Sequence, residues 1–344
     1  MSKRQHNKKP RRAAPQASST NSARPGQDNH ELGPEQLGRI IAHYGQQLEV
    51  EPLANTPGAT HPEIENIRCF ARSQLGSLVT GDRVIWQMGS NNVGIITQRL
   101  ERTSELAQPD NRGQKKIIAA NIDLIIIVGA AQPAANYHAI DKYLVACESL
   151  DIEPLILFNK FDLVSDPEQR DEYLKTQTNC FEMQQHYQDI GYRFILTSSV
   201  DGSGIDELKA IMRNKNAVFI GLSGAGKSSL INHLMPEVSQ AVNALSESSG
   251  LGTHTTTTAK LFHSPDGGNI IDSPGIREFA LWPLTPQQMA SSFIEFRPFI
   301  ELCKFRDCHH TREPGCAVKQ AHLDGKITNS RIENYCRLLE PDDS

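Results

Sequence analysis

Long apolar runs are missing from this chain of 344 residues. No stretch approaches the roughly 18 residues that a membrane-spanning helix needs. The longest largely apolar run, residues 122–128, has the length of a strand. A membrane protein is therefore not expected, and a mean hydropathy of −0.43 agrees with that. Acidic residues are missing from the first 27 positions, which hold seven basic ones: Lys3, Arg4, Lys8, Lys9, Arg11, Arg12 and Arg24. No apolar segment follows them, so this start does not read as a secretory signal. Cysteine is sparse: there are seven, an odd number, and three of them fall within residues 303–316. That pattern argues against a disulfide framework and for a reducing, cytoplasmic setting with a local metal site.

With seven of the 35 basic residues in the first 27 positions, the rest of the chain carries 28 against 40 acidic residues, a balance of −12. A basic arm on an acidic body points to a polyanion partner, above all nucleic acid, and the plainer reading is a solvated tail. The length suits two or three domains. Residues 1–33 are rich in Pro, Ser, Asn, Gln and charge and are expected to be a disordered basic arm. Residues 35–45 read as a short helix. From Ile64, "IRCFAR", "LVTGDRVIWQ" and "NVGIITQRL" are short runs rich in β-branched and aromatic residues, which suggest a small barrel over residues 34–113. An OB-type barrel fits that length, with an SH3-like barrel as the alternative. After Ile117, strand-like runs alternate with helix-like ones: 122–128, 154–158, 192–198, 217–221, 259–263 and 269–272 against 137–150, 167–190 and 204–212. That alternation predicts a doubly wound, mainly parallel sheet. The last 50 or so residues read as helical.

The chemistry lies in the loops between these elements. Gly221-Leu222-Ser223-Gly224-Ala225-Gly226-Lys227-Ser228 matches G-x-x-x-x-G-K-[ST] in full, follows an apolar strand and opens a helix that continues through Ser229. Its backbone N–H groups and helix N-terminus suit phosphate oxygens, Lys227 the β- and γ-phosphates, and the Ser228 hydroxyl Mg²⁺. Asn159-Lys160-Phe161-Asp162 ends another buried strand. One carboxylate, Asp162, can accept from both N1–H and N2–H₂ of guanine, whereas adenine would leave it unpaired, which makes the discrimination steep. The Lys160 stem can cover the base and Asn159 can tie loops together. Thr197-Ser198-Ser199 can offer backbone N–H to the guanine oxygen. Asp272-Ser273-Pro274-Gly275 follows a further strand, and in such a D-x-x-G motif the Asp holds Mg²⁺ through water while the Gly N–H senses the γ-phosphate. Thr255 and Thr256, in "GTHTTTT", stand where a Mg²⁺-binding threonine is expected. Ile276 occupies the place of the glutamine that orients the attacking water in Ras-type enzymes and cannot form a hydrogen bond, so slow intrinsic hydrolysis is expected. His254 is the nearest substitute in sequence. Cys303-x4-Cys308-x-His310-x5-Cys316 offers four ligands suited to a closed, structural Zn²⁺ site. His309 competes with His310, and Cys336 is an outside candidate. Cys69, Cys147 and Cys180 read as buried thiols.

The motif order NKFD, TSS, GLSGAGKS, HTTTT, DSPG is a rotation of the usual GTPase order. Together with GLSGAGKSSL, DSPGIREF, the preceding barrel and the cysteine-rich tail, it makes the chain resemble the circularly permuted GTPases of the RsgA (YjeQ) family over nearly its whole length. The resemblance implies a GTP phosphohydrolase that binds the immature 30S ribosomal subunit and its 16S rRNA, acts late in maturation, and is stimulated by the subunit. It implies an OB-fold first domain, a permuted GTPase domain at 114–285, a zinc-binding domain at 286–344 with the same cysteine and histidine pattern, one Zn²⁺ ion, and Mg²⁺ with GTP. The family also carries an apolar residue where Ile276 stands and a histidine like His254. On this reading the catalytic set is His254, Gly275 and Lys227. Arg68, Arg72, Arg83 and Arg99 are candidate RNA contacts, other assembly factors are candidate partners, and the chain is expected to be a monomer. Two other readings are a nucleotide-gated RNA-binding switch with incidental hydrolysis, and a P-loop kinase using ATP.

Overall fold

The computed structural model describes residues 32–53, 65–89, 91–109, 114–165, 180–235, 259–272 and 283–340. Five strands, β1 (Gln36–Tyr44), β2 (Gln47–Pro52), β3 (Ile67–Ala71), β4 (Arg83–Met88) and β5 (Gly94–Arg99), run in the order β1-β2-β3-β5-β4, and β4 closes back on β1. The β3–β5 pairing is parallel and the other pairings within the barrel are antiparallel. This is a closed Greek-key barrel of the OB type. Ile40, Leu48, Val50, Cys69, Val84, Trp86 and Ile96 fill it.

The helix expected at 35–45 is strand β1. The spacing of Leu37, Ile40 and Ile41 imitates a helix, but both faces of β1 are covered. Ile40 packs inside the barrel, while Ile41 joins the core beneath the neighbouring sheet. A Cβ on Gly38 would lie 2.5 Å from Val50 Cγ1 and 2.8 Å from the Trp86 ring, so glycine lets β1 close the barrel. The sequence reading also passed over β2. Its alternation of Leu48 and Val50 with Glu49 and Glu51 is a half-buried strand pattern of only six residues.

A hairpin, β6 (Glu105–Pro109) with β7 (Lys115–Ala120), leads into β8 (Leu124–Ala130), α1 (Tyr137–Ser149), β9 (Glu153–Asn159), α2 (Asp162–Ser165), α3 (Cys180–Ile190), β10 (Arg193–Leu196), α4 (Ile205–Met212), β11 (Asn216–Gly221), α5 (Lys227–Leu234), β12 (Lys260–His263) and β13 (Asn269–Asp272). The order β10-β9-β8-β11-β13 is parallel throughout. Every residue of the central β8 is buried. Its side chains alternate between two cores, with Ile125 and Ile127 facing α1 and α3, and Leu124, Ile126 and Val128 facing α4 and α5. The sheet is therefore doubly wound, as expected. The antiparallel edge strand β12 also pairs with β1 at Ala42–Lys260, so one ladder runs from the sheet into the barrel.

The C-terminal unit comprises α6 (Pro286–Ser291), α7 (Arg297–Ile300), α8 (Ala317–Leu323) and α9 (Asn329–Leu339). Thr285 and Gln288 form a reciprocal capping box at the start of α6. Phe293, Phe296 and Tyr335 pack edge-on and stacked at its centre. It docks on α1 through a buried polar network. Arg331 donates to Asp141 at 2.6 Å and to Glu295 at 2.6 and 3.0 Å, Asn334 donates to the other Asp141 oxygen at 2.6 Å, and Tyr187 Oη donates to Asp141 at 2.8 Å.

In the barrel, Asp82 accepts from Arg102 at 2.7 and 2.9 Å and from the Val79 N–H at 2.8 Å, with both side chains out of solvent. Losing Asp82 leaves the buried Arg102 guanidinium with Glu105 as its remaining ion-pair partner and takes the acceptor from the Val79 N–H. Asp82→Ala is expected to destabilise the barrel by about 1–3 kcal/mol. Urea unfolding followed by tryptophan fluorescence in a Trp282→Phe background, which leaves Trp86 as the reporter, is the measurement.

Candidate nucleotide and metal sites

The parallel register brings the C-terminal ends of three strands together: Ala130 pairs with Asn159, and Gly221 with Val128. In such sheets ligands bind at this edge. The loop 222–226 leaves β11 here and turns into α5, whose first residue is Lys227. Asn159, fully buried, reaches across from β9 and donates through Nδ2 to the Ala225 carbonyl at 3.0 Å. Gly226 lies beneath it at φ 92°, where an added Cβ would sit 2.2 Å from Asn159 Nδ2. Two sequence motifs separated by about sixty residues are thus one structural unit.

The rest of the strand-end loop is tied in the same way. Lys160 adopts φ 61°, a left-handed conformation that costs a non-glycine residue on the order of 1 kcal/mol. It is held by its Nζ donating to the Gln132 carbonyl at 2.5 Å and by Phe161 N–H donating to the Thr197 carbonyl at 3.0 Å. Ser198 Oγ donates to Asp162 Oδ1 at 2.6 Å, which fixes the carboxylate. The backbone N–H of Ser198 donates to the Ser203 carbonyl at 3.0 Å, so Ser198 acts here through its hydroxyl. Ser199 follows in the adjoining turn. Lys227 Nζ donates to the Gly221 and Leu222 carbonyls at 2.6 and 2.8 Å.

A cavity of about 840 Å³ opens over the phosphate loop. Its floor is Gly221, Leu222, Ser223, Gly224, Gly226, Lys227, Ser228 and Ser229, and its walls are Lys160 and the His138, Ala139, Lys142 and Tyr143 side of α1. Asp272 ends β13 and pairs in register with Lys260. His254, Thr255, Thr256, Gly275 and Ile276 lie outside the described residues, as does the basic arm through residue 31.

Cys303, Cys308, His310 and Cys316 present one ligand atom each, all within 4.8 Å of one another. Tetrahedral Zn²⁺ with the usual bond lengths places sulfurs about 3.8 Å apart and a sulfur and a nitrogen about 3.6 Å apart. The Cys303–Cys316 sulfurs are 3.9 Å apart, and His310 Nδ1 lies 3.5 and 3.4 Å from them. The Ala317 and Lys319 N–H groups point at the Cys303 and Cys316 sulfurs at 3.3 and 3.4 Å, which suits thiolates. Burial pushes the Cys308 thiol up to about 12, and a bound cation would offset that cost and hold it ionised. His309 is not among the clustered ligands; its backbone N–H donates to Glu313 at 3.1 Å and its backbone carbonyl accepts from Tyr335 Oη at 2.8 Å. Cys336 is not among the clustered ligands.

A phosphate loop joined to an N-K-x-D strand end, on a sheet in which that strand precedes the phosphate-loop strand along the chain, defines a circularly permuted P-loop GTPase. A family profile described as RsgA GTPase matches residues 99–282. Over 313 residues the chain is 49% identical to the small ribosomal subunit biogenesis GTPase RsgA of Marinobacter nauticus, covering 90% of this chain and 85% of that protein. The protein of the same name from Pseudomonas fluorescens is 45% identical over 335 residues, covering 97% and 94%. The fold is similar to the crystal structure of YjeQ from Thermotoga maritima, with a TM-score of 0.70 and 31% identity over 89% of this chain and 97% of that one. It is also similar to YloQ, a circularly permuted GTPase, with a TM-score of 0.69 and 28% identity over 91% and 96%. The chain belongs to the RsgA GTPase family.

Gly226→Ala combines a forbidden φ with a clash against Asn159. It is expected to weaken GDP and GTP binding by more than about tenfold, since each 1.4 kcal/mol is a factor of ten. Titration with a fluorescent guanine nucleotide measures this. Cys308→Ser removes one of four ligands and is expected to abolish stoichiometric zinc and unfold residues 286–340 selectively, seen as lost metal by elemental analysis and as new protease cleavage there.

Proposed function

We propose that this protein hydrolyses GTP in the course of small ribosomal subunit maturation, its hydrolysis stimulated by the 30S subunit. The observation that carries the nucleotide half of this reading is the Asn159–Ala225 hydrogen bond, which joins base-recognition and phosphate-binding loops into one cradle. The names of the relatives carry the ribosomal half. Asp162, braced by Ser198, accepts from the guanine N1–H and N2–H₂, and adenine, with an acceptor at N1 and no amine at C2, offers it neither donor. Lys160 covers the base, and the Ser199 N–H reaches the guanine oxygen. On binding, Lys227 exchanges the Gly221 and Leu222 carbonyls for β- and γ-phosphate oxygens, while the N–H groups of the loop 221–226 and the first turn of α5, with Ser229, surround the phosphates.

Ser228, Thr255 or Thr256, and Asp272 through water, would hold the Mg²⁺ that accompanies the nucleotide, and the ion would offset charge on the departing phosphate. Gly275 senses the γ-phosphate, and His254 assists at the water that Ile276 cannot orient. Cys303, Cys308, His310 and Cys316 would hold a structural Zn²⁺, a role that the donor set and its spacing support. We divide the chain into a basic arm (1–33), an RNA-binding barrel (34–113), the permuted GTPase unit (114–285) and the zinc unit (286–344). Contacts from the arm and from Arg68, Arg72, Arg83 and Arg99 to 16S rRNA phosphates would be salt-sensitive. The protein acts as a monomer in the cytoplasm. No helix among the described residues is long and apolar enough to cross a membrane.

The test is GTP turnover by the purified protein with and without 30S subunits. The expected result is slow turnover alone and a rise of at least about a hundredfold with subunits, the scale that completing a phosphoryl-transfer site can supply. Equal rates in the two arms would overturn the proposal.

A further inference from the structure

The barrel grips the sheet at one short strand, and the grip falls beside the end of β13. β12 lies between β13 on one side and β1 on the other. Lys260 pairs with Ala42 of β1 and also with Asp272 of β13. The last residue of β13 and the point where the barrel joins the sheet therefore share one cross-strand row. One position earlier, Thr80 Oγ1 donates to the Ala259 carbonyl at 2.7 Å, and both residues are buried. Thr80 is held in place by a turn bonded on two sides. Its carbonyl accepts from the Ala120 N–H at 3.0 Å, and the Gly81 N–H donates to the Ile40 carbonyl at 2.8 Å. Asn121 Nδ2 donates to the Gly81 carbonyl at 2.8 Å, and Asp82 closes the turn by accepting from the Val79 N–H at 2.8 Å. Gly81 takes φ 93°, and a Cβ there would lie 2.0 Å from the Ala120 oxygen, so only glycine lets the turn come this close. At the other end of β12, His263 pairs with Asn269 and meets Glu51 of the barrel at 2.9 Å.

Resting on the GTPase reading above, we propose that Thr80 of the barrel is a positioning residue of the nucleotide site, acting through β12 on Asp272. β13 runs parallel to β11, the strand that enters the phosphate loop. The Asp272 carboxylate and the Ser228 hydroxyl are hard oxygen donors of the kind that Mg²⁺ takes. Asp272 is the last residue of its strand, and on the β12 side Lys260 sets its register. Lys260 is set in turn by Ala42 and by the Thr80 bond one position before it. Without the Thr80 hydroxyl, the Ala259 carbonyl loses a buried bond, which favours a shift of the start of β12 towards water. Asp272 then loses its backing. Mg²⁺ demands near-ideal octahedral geometry, so a small displacement of a carboxylate weakens its hold on the ion. The loss is read as a raised Mg²⁺ requirement, while the phosphate and base loops, tied together by Asn159, keep their own contacts with the nucleotide. The barrel is thereby part of the support of the nucleotide site.

The experiment uses the full-length protein with Thr80→Val, Thr80→Ser and His263→Ala. Affinity for a fluorescent, non-hydrolysable GTP analogue is titrated across Mg²⁺ concentrations, and affinity for fluorescent GDP is measured with the metal chelated. Thr80→Val keeps the side-chain shape and removes the hydroxyl. It is expected to raise the Mg²⁺ concentration for half-maximal tightening by about tenfold, with metal-free GDP affinity within about twofold of wild type. Thr80→Ser keeps the hydroxyl and is expected to restore the wild-type Mg²⁺ requirement. His263→Ala loosens the same junction at the end of β12 remote from Asp272 and is expected to leave that requirement unchanged. A Thr80→Val requirement equal to wild type overturns the inference. So does an equal rise in His263→Ala, which marks general loosening of the junction, or a rise in Thr80→Ser as large as that in Thr80→Val. A fall in metal-free GDP affinity as large as the change in Mg²⁺ requirement also overturns it, because that marks a packing role. A wild-type protein that binds neither guanine nucleotide fails the underlying GTPase reading instead, and the inference falls with it.

Discussion

The hydrogen bond from Asn159 to the Ala225 carbonyl is the constraint around which the sheet is organised. It can form only if β9 and β11 end at the same level on either side of β8, which fixes both the parallel order and the register. The same bond makes Gly226 obligatory, because no side chain fits beneath the Asn159 amide. From that junction the phosphate loop turns into α5 and the Lys160 backbone turns into its left-handed conformation. A buried amide has to be satisfied, and here its partner is the loop on which the chemistry depends.

Two further junctions tie the remaining parts to this sheet. The barrel joins through β1 and β12, backed by a buried bond from Thr80 Oγ1 to the Ala259 carbonyl at 2.7 Å and by Glu51, which bridges Arg39 of the barrel and His263 of β12. The C-terminal unit joins through Arg331 and Asn334 at Asp141. A buried charge cluster of this kind adds little net stability over a well-packed apolar contact, but it tolerates only one geometry. Its location on α1, whose other side lines the cavity over the loop 221–229, turns that strictness into a fixed relation between the C-terminal unit and that cavity.

Much of the fold was legible because its signals are local. The seven-residue apolar run of β8, the strand ends at Asn159 and Gly221, and the periodicity of α1 and α4 each declare themselves within a dozen residues. The misreading at 35–45 has a physical cause. A strand buried on both faces carries adjacent apolar residues, and Ile40 and Ile41 then resemble a helix stripe. Strand β2 and the β6–β7 hairpin were too short and too charged to stand out. Asp141 and Arg331 carried no motif at all, and no spacing rule joins residues 190 positions apart.

The sequence by itself determined the composition of the site: a phosphate loop, an N-K-x-D strand end and a Cys₃His set, each recognisable because its chemistry demands particular residues at short range. It also determined that the motif order is rotated, since order is a property of the chain. Tertiary structure alone decided that Asn159 grips Ala225, that Ser198 braces Asp162 through its hydroxyl, and that α9 reaches α1. Those contacts depend on strand register and on how two units dock, which are set by the summed packing of residues far apart in the chain and by no single stretch of it.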